Sequence, residues 1–416
     1  MSPQNGQPRT RKRAGTIQKP ALELERDPNH HLTGSFLPQT PLGSAPVSRT
    51  GSPVSRPPAF RKPKTPWWLK WATDPFIAFK VALVPLVLYF NWELVTPYVA
   101  PHLDVRNPFA PLFLISGRIE DSKPGDTRYS KSWFDIPFLA YYVVVFSMVR
   151  QFLTVNVSAP IARYFGLRKE GKIERFGEQF YALIYFSIFG SWGYRVMTSL
   201  PTYWYNTDAL WLDYPHWDML PELKAYYLVQ SAYWLQQFLV LVLGLEKPRK
   251  DYFELVCHHF VTLWLVGWSY LLNLTIIGNA IYMSMDIPDA FLATSKLLNY
   301  IQWDQAKMYA YVTFIGVWSY FRHYLNLKIL WSVWFDCYKL VPAWTKTWDW
   351  NAGVYMVSWL PPLVFLSIAA LQVLNLFWYW LMLRILVRAI ITKTADDERS
   401  EDEDDGEDEP TDDKDD

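Results

Sequence analysis

A succession of long apolar runs constrains this chain more than any other feature. Hydrocarbon satisfies no backbone N–H or C=O, so a run that crosses a bilayer is a helix or part of a closed barrel. A crossing helix takes about 20 mainly apolar residues, roughly twice a barrel strand. Eight runs fit the helix length: residues 76–99, 136–154, 180–199, 226–245, 253–272, 276–298, 308–334 and 359–386. The expectation is an all-α polytopic membrane protein with about eight transmembrane helices. Lys80 and Glu93 make the first run the weakest, and two aspartates interrupt the sixth. Pro361-Pro362 predict an entry point or a kink at the start of the eighth. No internal repeat is visible.

The ends are of another kind. Residues 1–66 hold 12 of the 30 prolines, and residues 1–70 carry 12 Lys/Arg against three Asp/Glu. Residues 396–416 carry 15 Asp/Glu against two basic residues. Neither end has the apolar surface to offset chain entropy, so both are expected to be disordered and solvated. The chain then divides into a basic Pro/Ser-rich arm (1–66), two N-terminal helices with their connecting loop (67–165), a six-helix unit (170–390) and an acidic tail (395–416). Beside a membrane body, Arg9, Arg11, Lys12 and Arg13 suit anionic lipid better than a nuclear address. No apolar run opens the chain, so no cleaved signal peptide is expected. Two cysteines, Cys257 and Cys337, exclude a disulfide framework. GxGxxG, P-loop and GxSxG motifs are absent, and no nucleic-acid partner is indicated.

Basic residues set the topology. With eight helices both termini share a side, and that side collects the basic arm, then Arg163, Arg168, Lys169, Lys172 and Arg175, then Lys247, Arg249 and Lys250, then Lys307, then Arg384, Arg388 and Lys393. The opposite side receives segment 200–225, with one lysine against four acids. Both termini are therefore expected in the cytosol.

Ionisable groups inside an apolar run cost about 2.5–3.5 kcal/mol each to insert, so His258, His259, Asp286 and Asp289 need a reason to be there. A short turn near 274–275 would join the fifth and sixth helices as an antiparallel hairpin. At ~1.5 Å rise per residue, positions summing to about 549 are then level, which puts Asp289 beside the histidines. Asp286, three residues away, lies on the same face about one turn deeper. The adjacent histidines point roughly 100° apart, so only one aims fully at a given point. Similar arithmetic places Arg322 of the seventh helix within reach of Asp286, as a buried ion pair or as the cation that keeps Asp286 charged. A histidine beside a carboxylate is an oriented base or nucleophile. Two His and two Asp would also suit zinc or iron, but adjacent histidines do not share a helix face, so acyl chemistry ranks above a metal.

The run Glu246-Lys-Pro-Arg-Lys-Asp-Tyr-Phe-Glu-Leu-Val-Cys-His-His-Phe-Val-Thr262 resembles the longevity-assurance family of ceramide synthases. The likeness continues through Ser269-Tyr270, Asn273, Thr275, Gly278, Met285-Asp-Ile-Pro-Asp289, Lys296 and Asn299-Tyr300, and again at Asn375-Leu-Phe-Trp378. Met285 before the first Asp and the acidic tail resemble the fungal branch. The resemblance implies a TLC domain over roughly 170–390, six of whose helices form a barrel-like bundle. It also implies an endoplasmic-reticulum enzyme that transfers a fatty acyl group from acyl-CoA to the amine of a sphingoid base, with no cofactor beyond that co-substrate. A small single-span accessory subunit and a synthase dimer are implied partners. His258, His259, Asp286 and Asp289 would be catalytic. Arg322 and Asn299 would meet substrate, and Lys247, Arg249 and Lys250 would either meet the CoA phosphates or serve only as positive-inside anchors. Trp348 and Tyr355 lie in the loop 345–359, which in the family influences acyl-chain length. Ser400, followed by Glu401-Asp402-Glu403, resembles an acceptor site for an acid-directed kinase.

Overall fold

The computed structural model describes residues 66–99, 106–122, 125–245 and 251–392. The basic arm, the acidic tail with Ser400, and Lys247, Arg249 and Lys250 lie outside the described residues.

Eight long helical segments account for the eight apolar runs. They are α1 (Pro75–Val99), α2 (Asp135–Phe152), α3 (Glu170–Thr198), α4 (Pro221–Val242), α5 (Tyr252–Leu271), α6 (Thr275–Tyr300), α7 (Asp304–Trp318) and α8 (Leu360–Thr392). Two run on past a stretch of wide π-helical turns. After α2 these turns span Leu153–Ser158 and lead into Ala159–Tyr164; after α7 they span Ser319–Leu325 and lead into Asn326–Phe335. No strand forms among the described residues, only isolated bridges.

Among the described residues three helices are long and apolar enough to cross a membrane by length and composition: Pro75–Val99, Asp135–Tyr164 and Leu360–Arg388. The first corrects the expectation that Lys80 and Glu93 made that run the weakest. Asp74 caps α1, accepting from the backbone N–H groups of Phe76 (2.9 Å) and Ile77 (3.3 Å), and Pro75 takes the first helical position, where no N–H is needed. In α8 the pair Pro361-Pro362 sits within the first turn, so it starts the helix rather than kinking it.

Side-chain size decides which helices approach closely. α3 lies along most of α6, and a Cβ on Gly190 would stand 3.2 Å from Ile287. α6 in turn meets α4 at Gly278, where a Cβ would lie 2.5 Å from the Tyr227 ring. Small residues at helix crossings allow this backbone approach. Among the last six helices α3 meets α4 and α6, α5 meets α4, α6 and α8, and α7 meets α6 and α8. α2 packs against α4 from outside that set, and α1 against α2.

A polar staple ties the N-terminal pair to the rest. Lys224, fully buried near the start of α4, pairs with Asp135 at the start of α2 (2.8 Å). Its ammonium also donates to the carbonyls of Ser116 (2.7 Å) and Ser130 (2.6 Å). Tyr270 of α5 donates to the other oxygen of Asp135 (2.7 Å), and Lys131 caps α5 by donating to the Leu271 carbonyl (2.6 Å). Removing one partner strands a charge, whereas removing both does not. Lys224→Met is therefore expected to cost about 3–5 kcal/mol and to lower the melting temperature in detergent. Lys224→Met with Asp135→Leu should recover much of that loss, as read by a thermal-shift series on the four proteins.

Candidate active site

The site grows from the hairpin of α5 and α6. Their connection is short because Asn273 adopts a left-handed conformation (φ 61°), which its small polar side chain tolerates. That side chain donates to the Gly353 carbonyl (2.8 Å), clipping the turn to the loop before α8. The tight turn puts the histidines and the aspartates on facing rods, as the sequence arithmetic requires.

His258 and His259 are both buried. Nδ1 of His259 lies 2.8 Å from the Leu255 carbonyl. A carbonyl only accepts, so Nδ1 carries the proton and Nε2 is the basic nitrogen. His258 packs between two indoles, its ring centroid 5.7 Å from that of Trp234 and 5.4 Å from that of Trp378. The same Trp234 ring stands 5.7 Å from His259.

The two aspartates are held differently. Asp289 is paired with Arg322 at 2.7 Å. Arg322 also donates to the Met285 carbonyl (2.9 Å) and to Asn375 Oδ1 of α8 (3.3 Å), and its guanidinium lies 3.9 Å from the Trp318 ring centre. Asp286 has no exposed surface and accepts from the side-chain amide of Gln230 on α4. Gln230 in turn accepts from Tyr185 and donates to Tyr226 (3.0 Å).

The expected pairing of Arg322 with Asp286 is thus corrected: its ionic partner is Asp289. The depth was right, since Arg322 does reach the carbonyl of Met285. The direction was not, because Arg322 lies in the π-helical stretch Ser319–Leu325, whose wider turns shift where a side chain aims relative to a 3.6-residue helix.

A cavity of about 310 Å³ opens against this constellation. His258, His259, Asp289, Arg322, Asn299 and Lys296 all line it, and Asp286 stands behind its wall. Six of its lining residues hold a buried polar atom without a hydrogen-bond partner: Tyr181 Oη, Trp234 Nε1, His258 Nδ1, Asn299 Oδ1, Trp318 Nε1 and Arg322 Nε. An orphan of this kind costs about 1–3 kcal/mol. Their concentration around one cavity suits a polar ligand that supplies the missing partners.

A second cavity, about 160 Å³ and almost wholly apolar, begins at Thr262, one turn beyond His258, and runs between α5, α6 and α8 to Trp348 and Trp359. Trp348 stacks on Trp359 (5.2 Å) and meets Trp350 (5.5 Å) and Tyr355 (5.2 Å). Tyr355 is buried beneath Trp348 and lines neither cavity. Among the described residues no group of three or more His, Cys, Asp or Glu could hold a metal ion. Cys257 and Cys337 are free thiols.

Sequence reasoning missed Gln230 and Trp234. Gln230, Gln236 and Gln237 interrupt an otherwise apolar helix, and that was the available signal. Trp234 carried none, because one tryptophan among 22 does not stand out.

A helical membrane protein with a buried His-His site facing a paired carboxylate is the class this geometry defines. The TLC-domain family matches residues 175–384, which includes every one of these site residues from Gln230 onward. The chain belongs to that family. It is 41% identical over 327 residues to the sphingosine N-acyltransferase lac1 of Schizosaccharomyces pombe, covering 78% of this chain and 81% of the relative. Against the ceramide synthase LAG1 of Saccharomyces cerevisiae the identity is 37% over 308 residues, covering 72% and 71%. The ceramide synthase hyl-2 of Caenorhabditis elegans is 28% identical over 289 residues, covering 66% and 84%.

If Arg322 exists mainly to hold Asp289, their effects are not additive. Arg322→Met alone should cost about 3–5 kcal/mol by leaving Asp289 buried and unpaired. Adding Asp289→Asn should return part of it. A double-mutant cycle on melting temperature with a coupling below about 0.5 kcal/mol would refute the pairing as a structural necessity.

Proposed function

We propose that this protein is a ceramide synthase, transferring a fatty acyl group from acyl-CoA to the amine of a sphingoid base to give a ceramide and CoA. One observation carries the reading: the buried His258-His259 pair faces the Arg322-held Asp289 across a cavity with unmet polar groups, in a chain whose relatives are named for this reaction. A non-enzymatic TLC protein would share the helices but would have no use for these costly buried groups.

A sphingoid amine is protonated at neutral pH and must lose a proton before it attacks a thioester. His259, with Nε2 as its basic nitrogen, suits that task. His258, between Trp234 and Trp378, is the group that meets the thioester carbonyl. Two routes satisfy the geometry: acyl transfer to His258 and then to the amine, or direct attack by the amine with the histidines as base. Asp286 and Gln230 brace α6 against α4 behind the site. The apolar cavity takes the acyl chain, at about 0.8 kcal/mol per buried CH₂, and Trp348 closes its far end. The reaction uses no cofactor beyond acyl-CoA. Asn299 presents its unpartnered carbonyl to the polar substrate end, and Lys247, Arg249 and Lys250, outside the described residues, are offered by the sequence for the CoA phosphates.

In this reading eight helices cross the endoplasmic-reticulum membrane with both termini cytosolic, six of them closing a barrel around the site. A single-span accessory subunit and a second synthase copy are its partners, and Ser400 is a regulatory phosphorylation site in the acidic tail.

N-acylation of dihydrosphingosine by microsomes tests the core of this proposal. His258→Ala and His259→Ala should each reduce the rate at least about 10²-fold, in the range of general acid–base contributions. Equal activity in all three proteins would reject the site. Intact-mass analysis after acyl-CoA alone separates the two routes, since a relay leaves an acyl adduct on the protein and direct attack leaves none. Exchanging segment 345–359 for that of a relative should change the preferred chain length while activity persists; unchanged selectivity would remove the loop from chain-length choice. A chain ending at Thr394 should retain substantial activity, because the tail carries regulation and no chemistry.

A further inference from the structure

We propose that the indole N–H of Trp234 is the oxyanion donor of the acyl transfer, an inference that rests on the acyltransferase reading above. Trp234 is 6% exposed, and its Nε1 is buried without an acceptor. An indole N–H can only donate, so no rearrangement of protons relieves it. Its ring borders the cavity and lies edge-on to both histidines, 5.7 Å from each by ring centres.

The other indole and guanidinium N–H groups lining this cavity are tied to partners or, like Arg322 Nε and Trp318 Nε1, which also lack acceptors, lie on the Asp289 side. Trp378, the second indole against His258, gives its N–H to Asp251 (3.2 Å). Trp318 belongs to α7 and lies under the Arg322 guanidinium, on the Asp289 side. Both terminal nitrogens of Arg322 are tied to Asp289, Met285 and Asn375. Trp234 is thus the indole donor that is both uncommitted and in contact with the reacting pair. It is also held in place in advance. Gln230, one turn earlier on the same face of α4, is locked to Asp286, and the rings of Tyr233 and Phe186 flank the indole at 5.5 and 6.4 Å. A fixed dipole aimed where charge develops, in a site shielded from water, is the arrangement that stabilises a transition state most.

The step balances without any further reagent. A nitrogen lone pair, from the sphingoid amine or from His258, adds to the thioester carbon. The C=O π pair moves onto oxygen, which becomes the oxyanion that accepts a hydrogen bond from the Trp234 N–H. Collapse re-forms C=O and breaks the C–S bond. The departing thiolate takes up the proton that the amine or imidazole has surrendered and leaves as CoA thiol. In the His258 route the amine then adds to the acyl-imidazole through the same oxyanion, and the proton the amine loses goes to the imidazole that is expelled. Both routes use the donor in the same way.

Trp234→Phe removes the N–H and keeps an aromatic ring. Loss of one oxyanion donor lowers kcat about 10²–10³-fold, and the expectation here is a fall of that size with KM for both substrates within about threefold. Binding of an alkyl-CoA thioether, which has a CH₂ in place of the carbonyl, reports on the cavity without offering an oxygen. Its affinity should be unchanged in the variant. A kcat within about threefold of wild type overturns the proposal. So does a fall in kcat matched by an equal loss of thioether binding, since that marks a packing role. Failure of the wild-type protein to acylate a sphingoid base would sink the acyltransferase reading itself, a result distinct from a wild type and variant that are equally active.

Discussion

The Arg322–Asp289 ion pair is the interaction on which the rest of the site depends. It joins α7 to α6, and through Asn375 it reaches α8 as well. Each charge alone would be costly to bury, and together they are tolerable only with good geometry and further hydrogen bonds. That geometry is supplied from three sides: the Met285 carbonyl, the Asn375 amide oxygen and the Trp318 face all meet the one guanidinium. The wide turns of Ser319–Leu325 release Arg322 from ordinary helical spacing so that it can reach them. Asp289 then presents a fixed carboxylate toward the histidines across the cavity.

Asp286 shows the other way of burying a carboxylate. It meets an amide, not a cation, and the amide is itself held by two tyrosines. One aspartate therefore faces the cavity with its charge compensated, while the other cross-links α6 to α4 within the packed interior. Residues three apart on one helix end up with different surroundings because they meet different neighbours.

Much of this was legible in the chain. Run lengths located the eight helical segments, with most boundaries shifted by a few residues; α3 begins at Glu170 against an apolar run from 180, because its opening turns carry too many charges to register as apolar, and the run 308–334 is split by the π turns after α7. The His pair and Asp pair were visible because ionisable residues inside apolar runs are costly, and hairpin arithmetic set them level. Arg322 was found, but its partner was not: rise per residue gives depth and says nothing of a local π turn. Gln230 and Trp234 were hidden for a different reason. The three glutamines of α4 break an apolar run, but an uncharged amide names no partner, and an indole does not break the run at all, so the roles of both emerge only from what they touch. The three-helix count by composition against eight helical segments reflects the same limit, since helices that face one another inside the protein carry polar residues that lipid-facing ones do not.

The clip between Asn273 and Gly353 bears on geometry over a longer range. It fastens the far end of the histidine helix to the loop that carries Trp348, and Trp217 fastens the same stretch again through the Ala352 carbonyl (3.0 Å). The histidines and the aromatic floor are therefore the two ends of one rigid rod. From His258 to Leu271 that rod is about 20 Å long at 1.5 Å per residue. On the proposed acyltransferase reading, an acyl chain reaching from one end to the other is compared with a fixed template, like an object laid against a ruler. Altering the graduation would take a change of side-chain bulk along the rod or at its floor, because loosening the loop alone does not move a helix.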